Sequence, residues 1–408
     1  MPDALLLLLL LPLTTDWTVD PAGGGDFTSI GAALAAPAVQ SGDRLWIAPG
    51  EYGFVVVEKA VDLLALPGLR YTANSVLLRD LGAATGAAGT TTVQGLTTNT
   101  LRIDRCAGRI ELVDVEVGRD AVLSHDPALP MVAGKCEIFD ADDVRIAGSL
   151  LRGSRQCYPE ASSPKPGLLA ARSRIAISNS TLTGGDDLGL EFWWSCSAHY
   201  PSPPALSAGA CELWLSAVEL RGGATNWSGS SNALYLNGGF VDARGTGAEL
   251  WSSGQAATPA IAGTGKGTLS GIALLPAGLP PWLASPPIAR PLLVAPAVAD
   301  LGGSATVELY APLGAPALLA LSPHPAFAAA VLPRLGPVWF ALDQPYVLHA
   351  ATGLGETVPA ARSFALPADP ALAGASFTLQ ALVRMCAPGT CGATPPYDVT
   401  PPLTALLH

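Results

Sequence analysis

A ten-residue pattern, apolar-x-apolar-x-x-small-x-apolar-x-Gly, recurs five times from Ile110 onward. The instances are IELVDVEVGR from Ile110, VRIAGSLLRG from Val144, IAISNSTLTG from Ile175, LWLSAVELRG from Leu213 and LYLNGGFVDA from Leu234. Self-similarity at a period of tens of residues marks a solenoid, in which each unit buries its apolar side only against its neighbours. Alternating apolar positions with β-branched enrichment make each unit a pair of short strands rather than a helix. The steps between units are 34, 31, 38 and 21 residues. The shortest lies near the low end of known repeat periods and is read as a bare coil. The excess of the longer steps is then placed as insertions over 119–135, 154–170 and 186–210. Each stands at the same point of its coil. Stacked coils bring such insertions to one corner, and loops crowded on one side of a solenoid often form its binding face.

Composition agrees with short strands and narrows the partners. Charged residues are 13% of the 408, against 44 glycines and 37 prolines, and the net charge is −11. That charge argues against nucleic-acid backbones and anionic membranes. The apolar run from Ala4 to Leu13 has the length of a signal-peptide core and is too short to span a bilayer. Residues 1–16 are therefore expected to be an export signal, although the leading MPD has no positive charge and no A-x-A cleavage site follows. No other run reaches the ~18 apolar residues of a membrane span. The protein is expected to be secreted or held at a bacterial cell surface.

Seven cysteines fit an oxidising compartment. Cys196 and Cys211 flank the third insertion, and Cys386 and Cys391 flank a tight APGT turn, so each pair is expected to form a disulfide. Closing these loops stabilises by roughly 3 and about 2 kcal/mol on the chain-entropy account. Cys136 and Cys157 lie near consecutive insertions and form a further candidate pair, which leaves Cys106 as a small buried apolar residue.

The segment WTVDPAGGGDFTSIGAALAAPAVQSGDRLWIAPGEYG, from Trp17, resembles the N-terminal cap of right-handed parallel β-helix proteins of the pectin-lyase-like type. The resemblance implies a strand, a Gly-rich turn, a short capping helix and a strand ending in APGxY. Thr28 is the expected N-cap of a helix over 29–36, with Ile30, Ala33 and Leu34 turned to the first coil. Such a helix closes an end that otherwise exposes unpaired backbone. The fold class is therefore all-β: a parallel β-helix of about nine coils over 17–280. A Pro-rich linker over 281–291 and a small β-sandwich over 292–408 follow, the latter read from short alternating runs between Pro and Gly turns.

The resemblance does not extend to an enzyme of that group. The GDD at Gly185 to Asp187 is similar to a polygalacturonase motif, but the later GHG and RIK segments do not occur. APGEYGF lacks the Glu of the pectinesterase start, and no DFIFG-like segment follows. Arg172 and Arg174 stand beside a strand and read as solvated wall arginines rather than as the base of a lyase. His125 and His199 lie in separate insertions without a third partner, and Asn226 opens the only Asn-x-Ser.

The richest chemistry lies in GGDDLGLEFWWSCSAHY. Asp186, Asp187 and Glu191 with neighbouring carbonyls suit calcium, a hard oxygen-ligand ion and the one cofactor the sequence brings into view. Trp193, Trp194 and Tyr200, with His199, offer flat apolar faces that stack on sugar rings. The alternative is that these aromatics pack the loop against the coil wall and that Asp187 caps a turn. The chain therefore reads as an exported, non-catalytic β-helix protein with a binding or structural face towards polysaccharide or cell-surface components. The rival reading is a lyase or glycosidase with its site under the insertions, which needs two converging carboxylates.

Overall fold

The structure is a computed structural model that describes residues 15–82, 89–118, 135–154, 165–185, 203–223, 231–254, 258–286, 290–322, 325–332, 336–340, 347–385 and 397–408. Parallel strands stack rung upon rung into one continuous 22-stranded sheet that folds into three faces, a parallel β-helix. Face A runs from Asp16–Val19 through Arg44–Ile47, Asp62–Ala65, Thr90–Gln94, Arg109–Val113, Asp143–Ala147 and Arg174–Ser178. It continues through 212–216, 240–244 and 267–270 to Leu283–Ala284. Face B stacks 54–57, 75–79, 100–104, Lys135–Phe139, Leu168–Ala171, 206–209, 234–237 and 261–264. Face C stacks 51–52, 71–73, 96–98, Glu116–Val117, Leu150–Arg152, Thr181–Thr183, Glu219–Arg221, Leu250–Ser252 and Ala273–Leu275. Each coil visits the faces in the order A, C, B.

Alternation builds the core. Ile110 stacks on Val144, Val144 on Ile175 and Ile175 on Leu213, while Leu112, Ile146, Ile177 and Leu215 form the next inward column. All eight are buried, each worth about 1.5–3 kcal/mol as removed apolar surface. The fifth repeat corrects the sequence alignment. Leu213 stacks on Val241 and Leu215 on Ala243, whereas Leu234 and Leu236 stack on Leu206 and Ala208 of face B. The strand Leu234–Arg244 turns a corner at Gly238 and Gly239, both at positive φ, and both of its halves alternate. An alternation scan therefore matches the wrong half. The step is 28 residues, from 213 to 241. Bare coils occur elsewhere, as between Val93 and Leu112, 19 residues apart.

A short helix, α1 (Ile30–Ala35), closes the N-terminal end and buries Ile30, Ala33 and Leu34, as the pattern implies. Its N-cap is Ser29 rather than Thr28: the Ser29 hydroxyl accepts from the Ala32 N–H at 3.1 Å. The expected linker is more structured than its prolines imply. Leu283–Ala284 pairs with face A, and Trp282 packs on the last rungs with its Nε1 donating to the Gly263 carbonyl at 2.9 Å.

Beyond it, two layers, antiparallel but for the parallel pairing of Val298–Ala299 with Leu403–Leu407, make a small β-sandwich. Leu292–Val294, Ser304–Ala311 and Gly355–Ala365 form one layer. Val298–Ala299, Pro316–Ser322, Val347–Thr352, Ser376–Arg384, Tyr397–Val399 and Leu403–Leu407 form the other. Val307, Leu309, Leu319, Leu379, Ala381 and Val383 fill the space between them. The sandwich lies against face A. Leu64 and Val113 of that face share a buried cluster with Leu406, and Arg145 Nη1 donates to Thr378 Oγ1 at 2.7 Å. Asn179 Nδ2 donates to the Ala295 carbonyl at 2.6 Å, and the Arg44 guanidinium to that of Ala373. Among the described residues no helix is long and apolar enough to cross a membrane.

Candidate functional site

With face A covered, the long connections decide where a site can stand. Segments 119–134, 155–164, 186–202, 224–230 and 255–257 all join a strand of face C to a strand of face B. Their anchor points therefore share one corner, through Val117 to Lys135, Arg152 to Leu168, Thr183 to Leu206, Arg221 to Leu234 and Ser252 to Ile261. The insertions are shorter than the sequence suggests: residues 168–170 and 206–210 belong to strands of the β-helix wall. Asp186, Asp187, Glu191, Trp193, Trp194, His199 and Tyr200 lie outside the described residues. So do His125, Cys157, Cys196, Asn226, Cys386 and Cys391.

The three described cysteines are core residues. Cys106, Cys136 and Cys211 are free and buried. Cys211 donates to its own chain at the Gly209 carbonyl, 3.3 Å away, and its expected partner Cys196 lies outside the described residues. Burial raises all three thiols, that of Cys136 to about 12, so none is a ready nucleophile.

Face B is the open wall beside the connections. Its central outward column reads Val56, Leu77, Arg102, Glu137, Leu169, Ser207, Tyr235 and Ala262. The column beside it reads Arg79, Asp104, Phe139, Ala171, Gly209, Asn237 and Thr264. Ala171, Ser207 and Gly209 are small, while Phe139 and the 42% exposed Tyr235 stand on either side of them. Three rungs separate those aromatics, about 14 Å at sheet spacing. The Arg102 guanidinium lies 5.3 Å from the Phe139 ring centroid. Each charge on this face has a partner: Arg79 with Glu58, Arg102 with Asp104 and Glu137, and Lys135 with Glu137 at 3.1 Å.

A ladder that the sequence reading missed runs along the corner between faces B and A. Asp80, Arg105, Asp140, Arg172 and Ala210 occupy successive rungs with φ of 54, 52, 51, 49 and 51°. Arg105 holds Asp80 through Nε at 2.9 Å and Nη2 at 3.1 Å, and Arg172 holds Asp140 through Nε at 2.5 Å and Nη2 at 2.7 Å. These contacts hold both carboxyls below their usual range. Arg172 is thus a wall arginine, as expected, with a committed partner. The missed signal is a polar residue followed by a small inward one at the strand end, as in RC, DA and RS; DL and AC at the two ends of the ladder depart from it.

The buried charges sit under the sandwich instead. Arg109 Nε donates to Asp143 Oδ2 at 2.7 Å; burial, with Arg145 alongside, lowers the guanidinium to about 10. Asp62 stands on the same outward side, accepting from the Thr92 N–H at 2.7 Å and from the Thr92 side chain. Burial, reinforced by Glu111, raises its carboxyl to about 7. Further along, Arg290 forks Asp398 at 2.9 and 2.8 Å and reaches Asp242 at 2.9 Å, while Arg244 holds Asp242 at 2.8 Å. Burial pushes the Asp242 carboxyl up, but Arg244 and Arg290 outweigh it and hold it below its usual value. A cavity of about 130 Å³ beside Arg290, Thr246 and Tyr310 lies at this junction. Among the described residues, no three His, Cys, Asp or Glu side chains cluster to hold a metal. Comparison with protein-family models, curated proteins and solved structures finds no match to this chain.

Proposed function

We propose that this chain is an exported, non-catalytic β-helix protein of the right-handed, pectin-lyase-like kind. In this reading its open side binds polysaccharide at the cell surface. The observation that carries it is the state of face B: its cations and carboxylates are committed to one another, and flat side chains flank a floor of small ones. Paired charges make a rigid, neutral platform. Flat aromatics there take sugar rings, while an acid–base pair for bond cleavage requires a carboxyl whose proton is free to move. The sandwich, seated on face A, serves as a buttress.

The test is a polysaccharide-array screen that scores both retention and release of reducing or unsaturated ends. The expected result is retention without release. Phe139→Ala with Tyr235→Ala should weaken retention at least tenfold, as should Trp193→Ala with Trp194→Ala, with melting temperatures almost unchanged. Release of new ends by the parent chain would replace this reading with a carbohydrate-active enzyme. Retention untouched by both pairs would remove the binding face.

A further inference from the structure

The two ends of the β-helix differ. At the N-terminal end α1 lies over the first rung. At the other end, residues 261–264 of face B pair on one side, with 234–237, and Ala273–Leu275 of face C pairs on one side, with Leu250–Ser252. Among the described residues no strand adds to their outer edges; on face B the Trp282 indole takes the Gly263 carbonyl, so the free edge is chiefly that of face C. Only face A gains a further strand, Leu283–Ala284. Beside the open edge Leu275 is 61% exposed and Leu279 40% exposed. Ile272 and Leu274 are partly covered against the core.

An unpaired edge is a template for another strand, and proteins usually blunt one with charge. Here no charged residue occurs between Lys266 and Arg290. Pro276, Pro280 and Pro281 follow the edge strand and do not interrupt it.

We propose that this end pairs with the same end of a second copy of the chain across a two-fold axis. The edge strands hydrogen-bond, and Leu275 and Leu279 bury against their counterparts. Three features single out a second copy. The chain carries a net charge of −11, and this is an uncharged surface on which two copies meet without like-charge repulsion. A two-fold contact needs only one self-complementary patch, and it sets two edge strands antiparallel, the more stable pairing. Stacking onto the opposite end is blocked by α1, so association closes at a dimer rather than growing into a filament. The surface is separate from face B and does not depend on the polysaccharide reading.

Sedimentation velocity of the full chain over a concentration series tests the proposal. The expected species has twice the 41.5 kDa of one chain. Leu275→Lys with Leu279→Lys should weaken the dimer at least tenfold and leave the melting temperature unchanged. Leu275→Cys should give a cross-linked dimer with a short bismaleimide that the parent, treated alike, does not give; this arm decides the matter if the lysine variant fails to fold. A parent that stays monomeric throughout overturns the proposal, including one that instead sediments with lipid vesicles. So does a dimer indifferent to the lysines, or one that leaves the introduced thiol without cross-link.

Discussion

Asp62 is the most consequential single carboxyl in the described structure. Its folded value near 7 lies above the ordinary 3.8, so the folded chain holds this proton more tightly than the unfolded one. The stability this contributes is complete below about pH 4 and is lost as pH rises through 7. Asp62→Asn should therefore leave stability at pH 4 nearly unchanged and raise it at pH 8 by up to about 4 kcal/mol. Urea titrations at the two pH values check this, and equal effects at both would mean that Asp62 is not held protonated. Ala210 offers a second residue-scale test. With φ of 51° it sits in the left-handed region. Ala210→Gly removes a strain of about 1–2 kcal/mol against an entropic loss of about 0.5–1, so a net gain of up to about 1 kcal/mol is expected. Ala210→Val should cost at least as much. Thermal denaturation of both variants reads the sign. Neither position was legible beforehand: a left-handed corner has no fixed residue type when the backbone alone sets it, and Asp62 reads as one more polar residue at an outward strand position.

Among the elements, the inward columns were legible and their register was less so. Ile110, Val144, Ile175 and Leu213 declared themselves by period because both faces of their strands are constrained, one by the core and one by the sandwich. The fifth unit failed because two halves of one bent strand carry the same alternation. Ile177→Asp places a charge between Ile146 and Leu215 with no partner in reach and should cost several kcal/mol in denaturant titrations. A cost near zero would return Ile177 to the surface. The capping helix was legible almost to the residue, since Ile30, Ala33 and Leu34 fall on one helical face; the N-cap slipped by one because adjacent Thr and Ser both cap well. Cys106 was legible as a small buried apolar residue. Cys106 and Cys211 each follow a left-handed corner residue and fill a small inward space, a role that alanine or serine fills on neighbouring rungs.

At the scale of the whole molecule, the account rests on which faces are covered. Composition and turn spacing announced a second all-β domain but not where it sits, because Glu111, Arg145 and Asp242 on face A's outward side read as solvent-facing. Arg109, Glu111, Arg145, Asp242 and Arg244 are buried there, Arg145 against Thr378 and Arg244 against Asp398 of the sandwich. Arg290→Ala breaks the fork to Asp398, both side chains being part-buried, and should cost about 1.5–3 kcal/mol, as lost hydrogen bonds to charged groups do. Limited proteolysis between the β-helix and the sandwich should accelerate in step with that loss. Hydroxyl-radical footprinting of the intact chain, read by mass spectrometry, tests the arrangement most directly. Phe54 and Tyr235 are 65% and 42% exposed on face B, while Trp214 on face A is 8% exposed and Trp251 points inward at 0%. Rapid oxidation of Phe54 and Tyr235 with protection of Trp214 and Trp251 is the predicted result; Trp214 as reactive as Tyr235 would contradict the covering of face A.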